Sequence, residues 1–230
     1  LFAARAGRAL LADDMGLGKT VQAIAAAELM ARHFGVQRVL VVCPTSLKHQ
    51  WQNEWRRFTG REPRIVGGLR AQRQGQFTQN DFCKITNYDT LARDLDAIAE
   101  WAPELLIVDE AQRVKNWATQ AAGALRRIDA PHAIVLTGTP MQNRLDELIA
   151  IVQLVDQYRL GPTWRMRHEH QTYDEAGRVI GYRDLDRIGR TLGPIMLRRR
   201  KSEVLTQLPE RIDETLLLPL TPPQREIHDE

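Results

Sequence analysis

Three short segments gather residue types that handle phosphate, metal and water. The first is Leu11-Ala-Asp-Asp-Met-Gly-Leu-Gly-Lys-Thr20. Its glycines allow consecutive backbone N–H groups to turn inward around phosphate oxygens, and a helix starting there would add the partial positive charge of its N-terminus. In that setting Lys19 would reach the β and γ phosphates and the Thr20 hydroxyl would hold Mg2+. The strict phosphate-loop pattern asks for Gly five positions before Gly18, where this chain has Asp13. Read alone, the segment could also be an ordinary Gly-rich strand-to-helix turn. The second segment, Leu105-Leu-Ile-Val-Asp-Glu-Ala-Gln112, ends an aliphatic run in two acids. Carboxylates aimed at the edge of a core are costly unless they have a task. Asp109 would bind Mg2+ through water and Glu110 would polarise an attacking water. A solvated acidic turn is the competing explanation, and it loses weight beside the upstream loop. In the third, Ile134-Val-Leu-Thr-Gly-Thr-Pro-Met-Gln-Asn143, Thr137 and Thr139 flank Gly138 at a strand end. A polar turn before a helix is the alternative there.

These segments need a scaffold that brings them to one place. Short aliphatic runs at Ala9–Ala12, Val39–Val42, Arg64–Val66, Lys84–Thr86, Leu105–Val108 and Ala133–Thr137 read as buried parallel strands. Between them, Thr20–Ala31, Leu47–Phe58, Thr90–Ala99 and Trp117–Ile128 have helical spacing or composition, and Asp146–Val155 reads as one more helix. Alternating strands and helices imply an α/β fold whose parallel sheet is covered on both faces. In such sheets ligands bind beyond the carboxyl ends of the strands. Gly16–Thr20, Pro44–Lys48, Asn87–Asp89, Asp109–Gln112 and Thr137–Pro140 all follow predicted strands, so the fold would collect them on one rim.

Beyond Val155 the pattern changes. Gly161-Pro162 is a breaker, Tyr173–Tyr182 reads as a β-hairpin turning at Glu175–Gly177, and Leu185–Leu192 reads as a helix. The expected division is a core over 1–157, a protrusion over 158–195, and a return segment over 196–230 leading to a second lobe. From Arg178 to Arg211, nine Lys/Arg stand against four Asp/Glu. This local excess is more informative than the net charge of +3. Arg198–Lys201 could track phosphates or be a solvated basic helix start. Trp51 and Trp55, one helical turn apart, read as core packing rather than base-stacking platforms. His168 and His170 lack metal-ligand spacing on a helix. Cys43 and Cys83 read as reduced core thiols of a cytoplasmic protein. No apolar run approaches the ~20 residues of a membrane span, and the opening at Leu1 suggests a piece of a longer chain.

Together the segments resemble the Swi/Snf-type ATPases, a branch of the helicase-like motors, over nearly the whole chain. Asp13–Thr20 resembles that family's phosphate loop, including the acid where others carry Gly. Cys43-Pro-Thr-Ser-Leu-Lys-His-Gln-Trp51, Ile85–Asp89, Asp109–Asn116, Leu136–Asn143 and Met196–Val204 with Leu208-Pro209 resemble its further motifs. The resemblance implies a RecA-like lobe with a small helical and hairpin protrusion, with ATP and Mg2+ as ligand and metal, in a motor that uses ATP hydrolysis to translocate on double-stranded DNA and remodel protein-DNA complexes. Asp13, Asp14, Met15, Gly16, Leu17, Gly18, Lys19, Thr20 and Gln112 would bind the nucleotide, and Thr20 and Asp109 the metal. Lys19, Asp109 and Glu110 would carry catalysis. Thr45, Ser46, Lys48, Asn87 and Tyr88 would face the backbone of double-stranded DNA. Gln112 and Thr137, Gly138 and Thr139 would couple the γ-phosphate to the DNA site. The adenine-contacting Gln and the second lobe with its arginine fingers would lie outside this chain, leaving the piece nearly inactive alone. A strand-separating RNA or DNA helicase, a binding module that uses ATP only as a switch, and an inert scaffold lobe are the competing readings.

Overall fold

The computed structural model of the chain describes residues 1–114, 119–138 and 145–204. In chain order α1 spans Phe2–Ala6, β1 Arg8–Leu11, α2 Lys19–Phe34, β2 Val39–Cys43, α3 Lys48–Thr59, β3 Arg64–Ile65 and α4 Arg70–Phe77. Then come β4 Cys83–Asn87, α5 Tyr88–Leu91, α6 Leu95–Trp101, β5 Leu105–Val108, α7 Gln120–Arg127, β6 His132–Leu136 and α8 Leu145–Val155. The last part holds α9 Thr163–His170, β7 Gln171–Tyr173, β8 Val179–Tyr182, α10 Leu185–Leu192, β9 Met196–Leu197 and α11 Lys201–Val204.

Seven strands form one sheet in the order β3-β4-β2-β5-β6-β1-β9. Every pairing in it is parallel. The register puts Leu11 opposite both Leu136 and Leu197, Val42 opposite Val108, and Cys43 opposite Asn87. The carboxyl ends therefore form one rim, and the loops after them share it. Strands β2, β4 and β5 are buried along their whole length, which is why β2 and β5 read as unbroken apolar runs rather than alternating ones. Two apolar clusters fill the two sides of the sheet. One joins Leu10, Val42, Val108 and Val135 to α6, α7 and α8. The other joins Leu11, Val41, Ile107 and Leu136 to α2 and α3. Helix α8, with Leu145, Leu148, Ile149, Ile151, Val152 and Val155 all buried, is apolar enough to serve as a core element.

One expectation changes, and α4 and β9 are elements that the sequence did not announce. The single helix over Thr90–Ala99 is two, α5 and α6. The break falls at Asp94, whose buried carboxylate accepts from Arg73 Nε at 2.7 Å and Nη2 at 2.9 Å. Bending the chain there brings Asp94 to the guanidinium. Helix α4, which supplies Arg73, is not anticipated by its sequence: it buries only Arg73 and Phe77. It is fixed at its start by the Leu69 N–H donating to Gln72 Oε1 at 2.8 Å. Strand β9 has two residues, too few for any periodicity. The expected start of the Trp117–Ile128 helix, Pro140–Asn143 and the 205–230 stretch lie outside the described residues. The hairpin is present as β7 and β8, antiparallel, with Asp174 Oδ1 accepting the N–H groups of Ala176 and Arg178 in its turn.

Candidate nucleotide-binding site

Between β1 and α2 the chain makes a loop that depends on its glycines. Gly16 and Gly18 have φ of 85° and 72°, left-handed values that a Cβ would penalise, and α2 begins immediately after Gly18. The helix N-terminus thus opens onto the rim, with its first N–H groups unpaired within the helix. Lys19 Nζ donates to the Asp13 and Asp14 carbonyls at 2.8 and 3.2 Å. A Cβ placed on Gly138 would stand 3.0 Å from Met15 Cγ and 3.8 Å from Lys19 Nζ. The loop after β6 therefore lies against the loop after β1, as neighbouring parallel strands require.

Asp13 explains the departure from the strict pattern, and it corrects an expectation. Its side chain is fully buried. It accepts from the Arg199 N–H at 2.9 Å, from Arg199 Nε at 3.2 Å and from Gln22 Nε2 at 3.0 Å. Burial pushes this carboxyl up, but the hydrogen bonds from Arg199 and Gln22 outweigh burial and hold it below the usual carboxylate range. The expected nucleotide contact at Asp13 is therefore not a side-chain contact: the carboxylate braces the loop from beneath. Asp14 has a similar role, accepting the Lys201 N–H at 3.0 Å.

Two strands away along the sheet, β5 ends in the acid pair. Asp109 is buried; its Oδ2 accepts from Trp51 Nε1 at 2.8 Å and its Oδ1 from the Glu110 N–H at 2.9 Å. Burial raises its pKa, reinforced by Glu110, while the Trp51 bond and the Lys19 charge act the other way. Glu110 has φ of 53°, a left-handed conformation that costs a non-Gly residue ~1–3 kcal/mol and collects at functional sites. Its carboxylate accepts from Gln112 Nε2, and Gln112 Oε1 accepts from Thr137 Oγ1 at 2.8 Å. Glu110, Gln112 and Thr137 form one chain of contacts from β5 to β6. Thr139 lies outside the described residues.

Of the five side chains expected to face nucleic acid, the structure exposes two. Thr45 and Ser46 are exposed on a 3-10 turn after β2. Asn87 is 5% exposed and donates to Thr45 Oγ1 and Asp89 Oδ2, both at 3.0 Å, so it shapes that surface from behind. Lys48 and Tyr88 are corrections. Lys48 is buried and its Nζ donates to the Val66 carbonyl at 2.7 Å. Burial lowers its pKa. Tyr88 is buried and its hydroxyl donates to the Asp109 carbonyl. Both side chains fasten the rim loops to each other rather than reaching outward. Trp51 and Trp55 are core residues, 1% and 0% exposed, but Trp51 also holds Asp109. That role was discoverable in principle, since a buried indole N–H usually finds a partner. Burial pushes the Cys43 thiol up to about 12, and Cys83 is raised as well, so neither is a reactive thiolate.

A parallel sheet whose rim sets a Gly-Lys-Thr turn beside a strand-end acid pair and a strand-end threonine defines a RecA-like nucleotide-binding lobe. Residues 4–230 match the SNF2-related domain, and the chain belongs to that family. It is 33% identical over 238 residues to Helicase ssl-1 of Caenorhabditis elegans, covering 96% of this chain and 10% of that protein. It is 31% identical over 237 residues to the lymphoid-specific helicase of Homo sapiens, covering 94% of this chain and 28% of that protein. The fold is similar to the Sulfolobus solfataricus SWI2/SNF2 ATPase core solved in complex with double-stranded DNA. The TM-score is 0.76 at 26% identity, over 99% of this chain and 48% of that one.

Proposed function

We propose that this lobe binds ATP with Mg2+ on the rim between β1, β5 and β6, and that the longer protein hydrolyses it to move along double-stranded DNA. The observation that carries the reading is the meeting of three strand-end loops: Gly138 lies against Met15 and Lys19, and Glu110 and Gln112 reach Thr137. Lys19 would exchange the Asp13 and Asp14 carbonyls for β and γ phosphate oxygens. The N–H groups at the start of α2 would hold the same phosphates. The donors available to Mg2+ fit that ion: the Thr20 hydroxyl and the Asp109 carboxylate are hard oxygens, and each Asp109 oxygen accepts one hydrogen bond, leaving a lone pair. Mg2+ commonly takes one or two carboxylates plus phosphate oxygens. When bound it neutralises charge on the transferring phosphoryl group. Glu110, held in its unusual backbone conformation, would orient the attacking water. Gln112 and Thr137 would report the γ-phosphate to the adjoining loops.

DNA as the track is supported by family membership, by the similarity to a DNA-bound ATPase core, and by the exposed Thr45–Ser46 turn on the same rim. A second lobe supplying arginine fingers would account for the 48% coverage of that core. Such fingers contribute roughly 10³–10⁵ in rate, so the 230-residue piece alone should turn over ATP barely, if at all. The test is the ATPase rate of the full-length protein with double-stranded DNA, single-stranded DNA and RNA. Glu110→Gln should abolish turnover while nucleotide still binds. Equal stimulation by all three polymers would refute a duplex track, and regulated binding without turnover in the wild type would refute the motor.

A further inference from the structure

The segment that returns from the protrusion to the sheet is wired to the phosphate loop along its whole length. Strand β9 pairs with β1 at the sheet edge, and the Ala12 N–H donates to the Leu197 carbonyl at 2.8 Å. The Asp14 N–H then donates to the Arg199 carbonyl at 3.1 Å. In return the Arg199 and Lys201 N–H groups donate to the Asp13 and Asp14 carboxylates at 2.9 and 3.0 Å. Arg199 adds its guanidinium, donating from Nη2 to Gln22 Oε1 at 2.9 Å and pairing with Asp13. These contacts bridge more than 180 positions of sequence.

The consequence of this grip is where Lys201 ends up. The side of Gly16 on which a Cβ would stand is occupied by the Lys201 side chain, with Cε and Nζ each 3.4 Å from that position. Lys201 is exposed, and among the described residues its ammonium has no hydrogen-bond or ion-pair partner. A compact ammonium on a flexible stem, resting on a phosphate loop and not neutralised, is a cation placed for a polyphosphate. Lys19 reaches the loop from the helix side. Lys201 reaches it from the opposite end of the chain.

We propose that Lys201 is a second phosphate-contacting cation of the nucleotide site, and that Arg199 is the positioning residue that sets it there through Asp13 and Gln22. The proposal rests on the reading of this rim as an ATP site. It implies that the protrusion, which leads directly into Arg199 and Lys201, is mechanically tied to nucleotide occupancy.

The test uses the full-length protein and fluorescent analogues of ADP and of a non-hydrolysable ATP. Lys201→Ala should weaken the triphosphate about tenfold, the size of one exposed charge-assisted contact, with an unchanged melting temperature. Lys201→Arg should bind within about twofold of wild type, because the charge is kept. Arg199→Ala should weaken binding in the wild-type background and add less than about twofold once Lys201 is already Ala, as residues acting through one another are non-additive. If wild type binds the triphosphate and Lys201→Ala binds it equally well, the role of Lys201 is wrong and the ATP site stands. Additive losses from the two alanines would overturn the positioning role of Arg199. Failure of the wild type to bind either nucleotide would overturn the ATP site itself, and this proposal with it.

Discussion

Replacing Trp51 by Phe isolates one hydrogen bond at the heart of the rim. The substitution keeps an aromatic ring in the apolar cluster that Trp51 shares with Trp55, Cys43 and Ile85. It deletes the Nε1–H that donates to Asp109 Oδ2 at 2.8 Å. Asp109 is 6% exposed, so water does not readily replace the donor. A hydrogen bond to a charged group contributes about 1.5–3 kcal/mol, and the smaller ring adds roughly 1 kcal/mol of lost packing. The total expected destabilisation at neutral pH is therefore about 2.5–4 kcal/mol. The pH dependence separates the two parts. Burial already holds the Asp109 carboxyl above its ordinary value, and the Trp51 bond opposes that rise. Without the bond the folded-state pKa climbs further. A carboxyl with a raised folded pKa binds its proton more tightly folded than unfolded, so stability falls as pH rises from the ordinary carboxylate value through the folded one. In Trp51→Phe that fall is deeper and reaches to higher pH. Denaturant unfolding of both proteins at pH 7.5 and pH 4.5 reads this directly: the difference between them should be largest at the higher pH and shrink at the lower. The same difference at both values would mean that Trp51 contributes packing alone.

Three further outcomes follow from the described contacts. Asp94→Ala removes the counter-charge and two of the three hydrogen bonds of the buried Arg73 guanidinium, a change worth about 3–5 kcal/mol; a melting temperature within ~2 °C of wild type would contradict it. Lys84 is fully buried on β4, with Nζ bonded to the Gln79 carbonyl and Asp81 and lying 4.7 Å from the Trp101 ring. Lys84→Met should fall within ~1 kcal/mol of wild type, because Asp81 keeps Arg64, whereas Asp81→Ala should cost roughly 3 kcal/mol or more by leaving Lys84 without its counter-charge; equal effects in an unfolding assay would refute the ordering. Gly138→Ala pushes a Cβ to 3.0 Å from Met15 Cγ, beside Lys19. Met15 is exposed and can give way, so stability should hardly change, while displacement of the phosphate loop by a fraction of an ångström should cut turnover by up to about 10²-fold; unchanged turnover would show that the two loops do not cooperate.

The strands were the most legible part, because aliphatic runs such as Val39–Cys43 have no use except burial on both faces. The phosphate loop was legible from its glycines with Lys19 and Thr20, and the acid pair from the cost of Asp109 and Glu110 at the end of such a run. The sequence did not disclose partnerships. Asp13 reads as a loop residue, and only the fold shows that its partner is Arg199, carried in by a two-residue strand with no periodic signature. The resemblance placed Lys48 and Tyr88 toward nucleic acid, yet both turn inward to satisfy backbone carbonyls of Val66 and Asp109. Helix α4 was invisible because its buried face is one guanidinium and one ring, Arg73 and Phe77, rather than an apolar stripe. In each case the missing information is a contact between distant positions, which local pattern cannot encode.

The joining of β9 to β1 also has a consequence for biosynthesis. Asp13 leaves the ribosome before its counter-ion, which emerges 186 residues later. At roughly 5–20 residues per second that interval is on the order of ten to forty seconds. Throughout it the growing chain carries a carboxylate destined for burial but still without its guanidinium. The nucleotide pocket therefore matures late, after both faces of the β-layer can already have collapsed. Nascent chains stalled before Arg199 should remain open to protease at the glycine turn, while those stalled well beyond Lys201 should be protected.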